Sequence, residues 1–189
     1  MSSKKSQKNS LTDLSKTLSY RLRHDPTVER DPQGFVAVEL LHVPNVTLEI
    51  IQRIVRESDK QRFALEERAD GWYIRANQGH SKDVAVQLSD SEMLKKLTEP
   101  MEGVFHGTYR KFLPSIQQEG LKVMTRKHIH MAKSRTAISG QRASCDVFIY
   151  IDMAAAMQDG IVFYESDNGV ILTEGIHGVL PPIYFKQIE

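Results

Sequence analysis

Apolar residues at Leu11, Leu14, Leu18 and Leu22 recur every three or four positions, the period of one helix face. They predict a helix over residues 11–24. Asp25-Pro26 stops it, because proline disfavours helical geometry in the residue before it. The last turn carries Arg21, Arg23 and His24. Cations suit the negative end of a helix dipole, which is one account of them; an anion site is another.

Gly34 marks a turn before a short strand at Phe35-Val36. Leu48, Ile51 and Val55, with Ile50 and Ile54 beside them, make residues 47–59 an amphipathic helix. The segments RFALEE and WYIRA flank Asp70-Gly71, a dipeptide that favours a hairpin turn. Two helices and then a hairpin resemble a winged-helix lobe, a fold that often contacts nucleic acid. Residues 82–100 are polar and predict a linker with one helical turn. Beyond it the texture becomes strand-rich. VFHGT, HIHMA and DVFIYIDM read as strands, and RKFLPSIQQEGL reads as a helix closed by Gly120. DGIVFYESDNGVILT reads as a hairpin turning at Asp167-Asn168-Gly169. The second half is therefore an α+β unit.

The 189 residues allow one large domain or two small ones, and 40% hydrophobic with 26% charged residues is a globular composition. Net charge is +1, so any nucleic-acid contact is a local patch and not a global field. Cys145, within a strand-like run, is the single cysteine, which excludes an intrachain disulfide and a cysteine-based zinc cluster. Intracellular residence, in cytoplasm or nucleus, is expected. No apolar run approaches roughly 18 residues, so no membrane span is expected. MSSKKSQKNS lacks an apolar stretch and reads as a flexible basic arm over residues 1–10, not a signal peptide.

Neither a G-x-G-x-x-G nor a P-loop motif occurs, so a Rossmann or P-loop nucleotide site is unsupported. In YIRANQGHS, Arg75 ends a strand and Asn77, Gln78, His80 and Ser81 surround Gly79. Such a run wraps an anion, or is a polar loop leaving a hairpin. His106 and Thr108 alternate on a strand end with backbone accessible at Gly107; a half-buried, hydrogen-bonded histidine is the ordinary alternative. His128 and His130 share a strand face, with His106 as the available third zinc ligand, but no metalloenzyme pattern supports a metal and none is expected. Arg142 follows Ser139-Gly140 in a loop leading to an apolar strand.

Taken in order, LSYRLRHDP, GFV, KQRF, IRANQGHS, FHGT, HIHMA, SGQRASCDVFIYID and NGVILT resemble the NAD-dependent RNA (tRNA) 2′-phosphotransferases over about residues 11–185. The resemblance implies a winged-helix RNA-binding lobe over residues 11–95 and an ADP-ribosyltransferase-like, mixed α/β, NAD-binding lobe over 96–189, as a monomer. It implies that NAD is consumed as a co-substrate. The internal 2′-phosphate at the splice junction of ligated tRNA attacks the ribose C1″, and nicotinamide leaves an ADP-ribosylated RNA. The ribose 2″-hydroxyl then expels the RNA, giving 2′-OH RNA and ADP-ribose 1″,2″-cyclic phosphate.

Carried over by motif, the catalytic set is Arg23, His24, Arg75 and Arg142. The first three grip the 2′-phosphate, and Arg142 serves mainly the second step. His106, Gly107, Thr108 and His130, with Asn168, Gly169 and Val170, are implied to contact NAD. Gln78, His80 and Ser81 are implied to support RNA phosphates. Arg21 is left as a solvated helix charge, and Glu165 is not required. A transferase that caps terminal RNA or DNA phosphates with ADP-ribose would use the same four residues.

Overall fold

The computed structural model describes residues 2–44, 46–142 and 144–189, with side chains from residue 11 onward. The chain divides after Met93, and the second unit spans Leu94–Glu189. The sequence placed this boundary two residues later.

Helix α1 (Ser2–His24) puts Leu18 and Leu22 fully inside, with Leu11 and Leu14 partly buried on the same stripe. It starts well before Leu11. Residues 2–10 hold no glycine or proline to break a helix, and no apolar spacing to announce one. Met1 and the side chains of the expected basic arm lie outside the described residues. Strands β1 (Val36–Ala37), β2 (Phe63–Arg68) and β3 (Gly71–Ala76) form an antiparallel sheet in the order β1-β3-β2. Its hairpin closes where Arg68 faces Gly71, as the Asp70-Gly71 pair predicts. Helix α2 (Leu48–Glu57) is capped by Thr47, whose side chain accepts from the Ile50 amide at 3.4 Å. Ile51, Ile54, Phe63 and Ile74 close the core over Leu18 and Leu22. Truncating a fully buried leucine such as Leu22 to alanine costs about 2–5 kcal/mol.

Residues 82–93 are not a linker. They form α3 (Lys82–Ala85) and α4 (Asp90–Met93), with Val84, Ala85 and Met93 buried, and the Ser89 amide bonds Pro32 O at 2.8 Å. Helices of one turn show too few positions for a period to register, so their polar faces dominate the reading.

In the second unit β4 (Lys95–Lys96), β5 (Phe105–Thr108), β7 (Ile129–Ala132), β8 (Val147–Ile151), β9 (Tyr164–Glu165), β10 (Val170–Thr173) and β12 (Phe185–Ile188) build one sheet. Its order is β12-β8-β5-β7-β10-β9-β4, every pair antiparallel. Strands β6 (Leu121–Lys122) and β11 (Val179–Leu180) pair apart from it. Lys95-Lys96, expected to fall on the linker, is an edge strand against Tyr164-Glu165. Helix α5 (Leu113–Glu119) ends at Gly120, whose amide bonds Ile116 O, and α6 (Met153–Gln158) follows β8. Phe105, Met131, Ile149 and Ile171 are fully buried in the sheet's core, while Cys145 lies in the loop before β8 and not in a strand. Among the described residues no helix is long and apolar enough to cross a membrane.

Candidate functional site

The end of α1 is braced before it is charged. Arg21 is half-buried, not a solvated charge: Nε and Nη2 donate to Leu41 O at 3.2 and 3.0 Å, and Nη1 pairs with Asp25. Asp25 also accepts from the Thr27 amide at 2.9 Å and hydroxyl at 2.6 Å. Those Thr27 bonds first, and Arg21 after them, hold its carboxyl below the usual carboxylate value despite burial. Arg30, which the sequence did not single out, donates to Arg21 O at 2.6 Å, Leu22 O at 3.1 Å, Asp25 O at 2.9 Å and also to Val28 O. Its burial pulls its pKa down from the ordinary arginine value, and Asp25 opposes that.

On this brace sit Arg23 and His24. The loop after β3 is tied to Arg23: the Ser81 amide and hydroxyl donate to Arg23 O at 2.9 and 3.2 Å. The Arg23 guanidinium runs along Gly79, and its Nε and Nη2 are buried. Arg75 is also buried; its Nη1 donates to Gln33 O at 3.0 Å, and its guanidinium carbon lies 4.8 Å from the Phe35 ring centre. His80 is buried beside Gly34, and Gln78 is half-buried. His24 meets the Tyr20 ring at 6.1 Å. Asn77 has a holding role: its amide and side chain donate to Arg62 O at 3.0 Å and Gln61 O at 2.7 Å. Two guanidiniums withdrawn from water, one against an aromatic ring, suit a doubly charged anion.

The second unit builds its own basic group. His106 Nδ1 lies 2.9 Å from His130 O. A backbone carbonyl only accepts, so Nδ1 carries the proton and the neutral ring offers Nε2 as an acceptor. Burial, and then the charge of Arg142, push the His106 pKa down, while the bond to His130 O resists. Tyr109 bonds Ser144 Oγ at 2.8 Å; Ser144 first and Arg142 second lower its phenol pKa. Arg126 is half-buried and is the second residue that the sequence did not single out. Burial and then Arg142 lower its pKa, so two guanidiniums act on one region. The only sequence signal was its place two residues before His128.

The loop bearing exposed Arg142 is held at both ends. Asn168 accepts from Ser166 Oγ at 2.8 Å and donates to Ser139 Oγ at 3.5 Å, joining the hairpin turn to the loop's start. At its end Cys145 packs on Gly107, where a β-carbon would stand 2.8 Å from Sγ. Thr108 is buried, and its carbonyl accepts from the Asp146 amide at 3.1 Å. Gly169 adjoins Lys133, which pairs with Glu165 at 3.1 Å, and Val170 is fully buried opposite Ala132. His128 is buried against Tyr164. Among the described residues His106, His128 and His130 do not converge as a set of metal ligands.

Each unit thus gathers arginine and histidine side chains on the ends of its helices and strands and on the loops beside them, residue types able to bind an anion. The sequence matches the model of the RNA 2′-phosphotransferase, Tpt1/KptA family over residues 9–175. The chain belongs to this family. A tRNA 2′-phosphotransferase 1 of Danio rerio is 43% identical, covering 93% of this chain and 84% of that protein. The human tRNA 2′-phosphotransferase 1 is 42% identical over 92% of this chain and 74% of its own length. A Schizosaccharomyces pombe relative is 41% identical over 96% of this chain, which spans only 52% of that protein. The family match takes in Arg23, His24, Arg75 and Arg142, and Arg30 and Arg126 as well.

Proposed function

We propose that this protein removes the internal 2′-phosphate from spliced tRNA by transferring it to NAD, acting inside the cell. The observation that carries the reading is the family match over residues 9–175, which spans all four residues of the catalytic set. The buried guanidinium nitrogens of Arg23 and Arg75 support it, because a phosphate monoester is nearly a dianion near neutral pH and rewards charge-assisted bonds made away from water.

In this reading Arg23, His24 and Arg75 orient the 2′-phosphate, with Gln78, His80 and Ser81 supporting the RNA around it. The order of α1, α2 and the β2–β3 hairpin supports a winged-helix assignment for the first unit. The second unit holds the co-substrate in the manner of an ADP-ribosyltransferase. Its residues suit a dinucleotide: half-buried Arg126 matches a diphosphate, and neutral His106 offers Nε2 to a ribose hydroxyl. Gly107, Thr108, His130 and the turn at Asn168–Val170 frame that group. When bound, NAD supplies an electrophilic ribose carbon with nicotinamide as its leaving group. Arg142 is exposed and acts on charge gathering at the transferring phosphate. The phosphate is itself a nucleophile, so no general base is assigned, and the Glu165 carboxylate stays paired with Lys133.

The test is incubation with NAD and an oligonucleotide carrying one internal 2′-phosphate. Release of nicotinamide, 2′-OH RNA and a cyclic phosphate of ADP-ribose is expected. A stable ADP-ribosyl adduct on terminal phosphates, with no phosphate transferred, would select the capping reaction instead. No turnover would sink both.

A further inference from the structure

Helix α1 delivers Arg23 and His24 from the end that is electrostatically wrong for an anion. The last carbonyls of a helix carry partial negative charge, roughly half an elementary charge in sum, and phosphates are ordinarily met at N-termini. A dianion gripped by the last two residues of α1 therefore faces repulsion from the helix that presents them. Ser81 caps Arg23 O, and one cationic side chain covers the carbonyls around it. Arg30 donates to Arg21 O at 2.6 Å, to Leu22 O at 3.1 Å, to Asp25 O at 2.9 Å and to Val28 O. Its own amide is fixed by the Gln87 side chain at 3.2 Å. Asp25, the nearest carboxylate, already pairs with Arg21 and accepts twice from Thr27, so it does not draw the guanidinium away from the carbonyls.

We propose that Arg30 is a positioning residue for the phosphate site: it caps the C-terminus of α1, fixes the direction in which Arg23 and His24 leave it, and offsets the helix's negative end so that an anion is accepted there. Arg30 does not touch the phosphate. This rests on the assignment of Arg23 and His24 to the 2′-phosphate made above.

The experiment measures binding, without NAD, of an oligonucleotide with an internal 2′-phosphate and of its 2′-OH twin. The full-length protein is compared with Arg30→Gln, Arg30→Lys and Arg23→Ala, each melted in parallel. Arg30→Gln keeps some hydrogen bonds but no charge. It is expected to cut the preference for the phosphorylated strand by about tenfold, with affinity for the twin changed less than about twofold. Arg30→Lys keeps the charge on one ammonium and should hold the preference to within about threefold of wild type. Equal weakening of both strands by Arg30→Gln, tracking a lower Tm, would mean a merely structural cap and overturn the inference. Should Arg30→Gln not fold, Arg30→Lys decides: a loss of preference as large as that of Arg23→Ala also overturns it. If Arg23→Ala leaves the preference intact, the phosphate-site assignment itself fails. If Arg23→Ala abolishes it and Arg30→Gln does not, only the role of Arg30 fails.

Discussion

The side chain of Arg23 packs on the bare α-carbon of Gly79: a β-carbon there would stand 3.6 Å from both its Cδ and its Nε. That spacing is ordinary contact, so bulk is not the obstacle. The obstacle is a φ of +89°, which side-chain-bearing residues rarely adopt. Gly79→Ala is expected to cost about 1–2 kcal/mol. The strain should be relieved by shifting the loop that holds Arg23 through Ser81. Affinity for 2′-phosphorylated RNA should fall while KM for NAD holds, as steady-state kinetics against each substrate would show.

Gly107 presents the opposite case, in which space decides. A β-carbon would lie 2.8 Å from Cys145 Sγ, with the Cys145 β-carbon at 3.5 Å. Gly107→Ala is expected to destabilise by about 1–3 kcal/mol through overpacking. It should also reduce turnover by pushing away the loop that carries Arg142. Adding Cys145→Ala removes the sulfur and should recover most of both losses. A double-mutant cycle of unfolding free energies that shows simple additivity would refute the contact.

His106 predicts an acid-side effect. Its folded pKa lies below the ordinary value of 6.5, chiefly through burial. The unfolded chain therefore takes up a proton there first as pH falls. The contribution of neutral His106 to stability is full above pH 6.5 and declines as pH drops toward the lowered folded value. In denaturant titrations across that window, His106→Gln should lose less stability on acidification than wild type does. KM for NAD should climb once the ring itself is protonated, since Nε2 then no longer accepts.

Arg142 sits on an exposed loop and is assigned to the later phase of transfer. Arg142→Ala should lower overall turnover by about 10²–10³-fold, yet nicotinamide release should continue through at least one turnover while phosphate stays on the RNA. Quench-flow measurement of nicotinamide against RNA dephosphorylation separates the two. Loss of nicotinamide release in equal measure would move Arg142 to the first step.

The elements built on repeated apolar spacing were readable from the chain. The Leu18 and Leu22 stripe, the Ile51 and Ile54 face of α2 and the turn at Asp70-Gly71 each follow from local pattern. Of residues 82–96 only one helical turn was readable, because one-turn helices and a two-residue strand offer no period. Arg30 and Arg126 escaped for a related reason. In TVERDPQG and VMTRKH each reads as a surface charge, since the Arg21 and Leu22 carbonyls that bind Arg30, and the Arg142 charge near Arg126, come together only through folding. Arg21 erred the other way, because the carbonyl that buries its guanidinium, Leu41 O, lies twenty residues on. The proposed catalytic set rests on resemblance, whereas the bracing beneath it arises only in the fold.

The large sheet is joined unevenly at its middle. Strand β5 runs in register with β8 from Phe105 to Thr108, but among the described residues it meets β7 only where Phe105 faces Ala132. Beside that rung the His106 ring spans to His130 O at 2.9 Å. By its ladder the sheet is two panels joined at one paired rung. His106, Gly107 and Thr108 lie on one panel, and His130 with Asn168–Val170 on the other. A dinucleotide bridging those residues would act as a splint across that join. Amide exchange should then slow on both panels together when it binds, including at positions the ligand never touches.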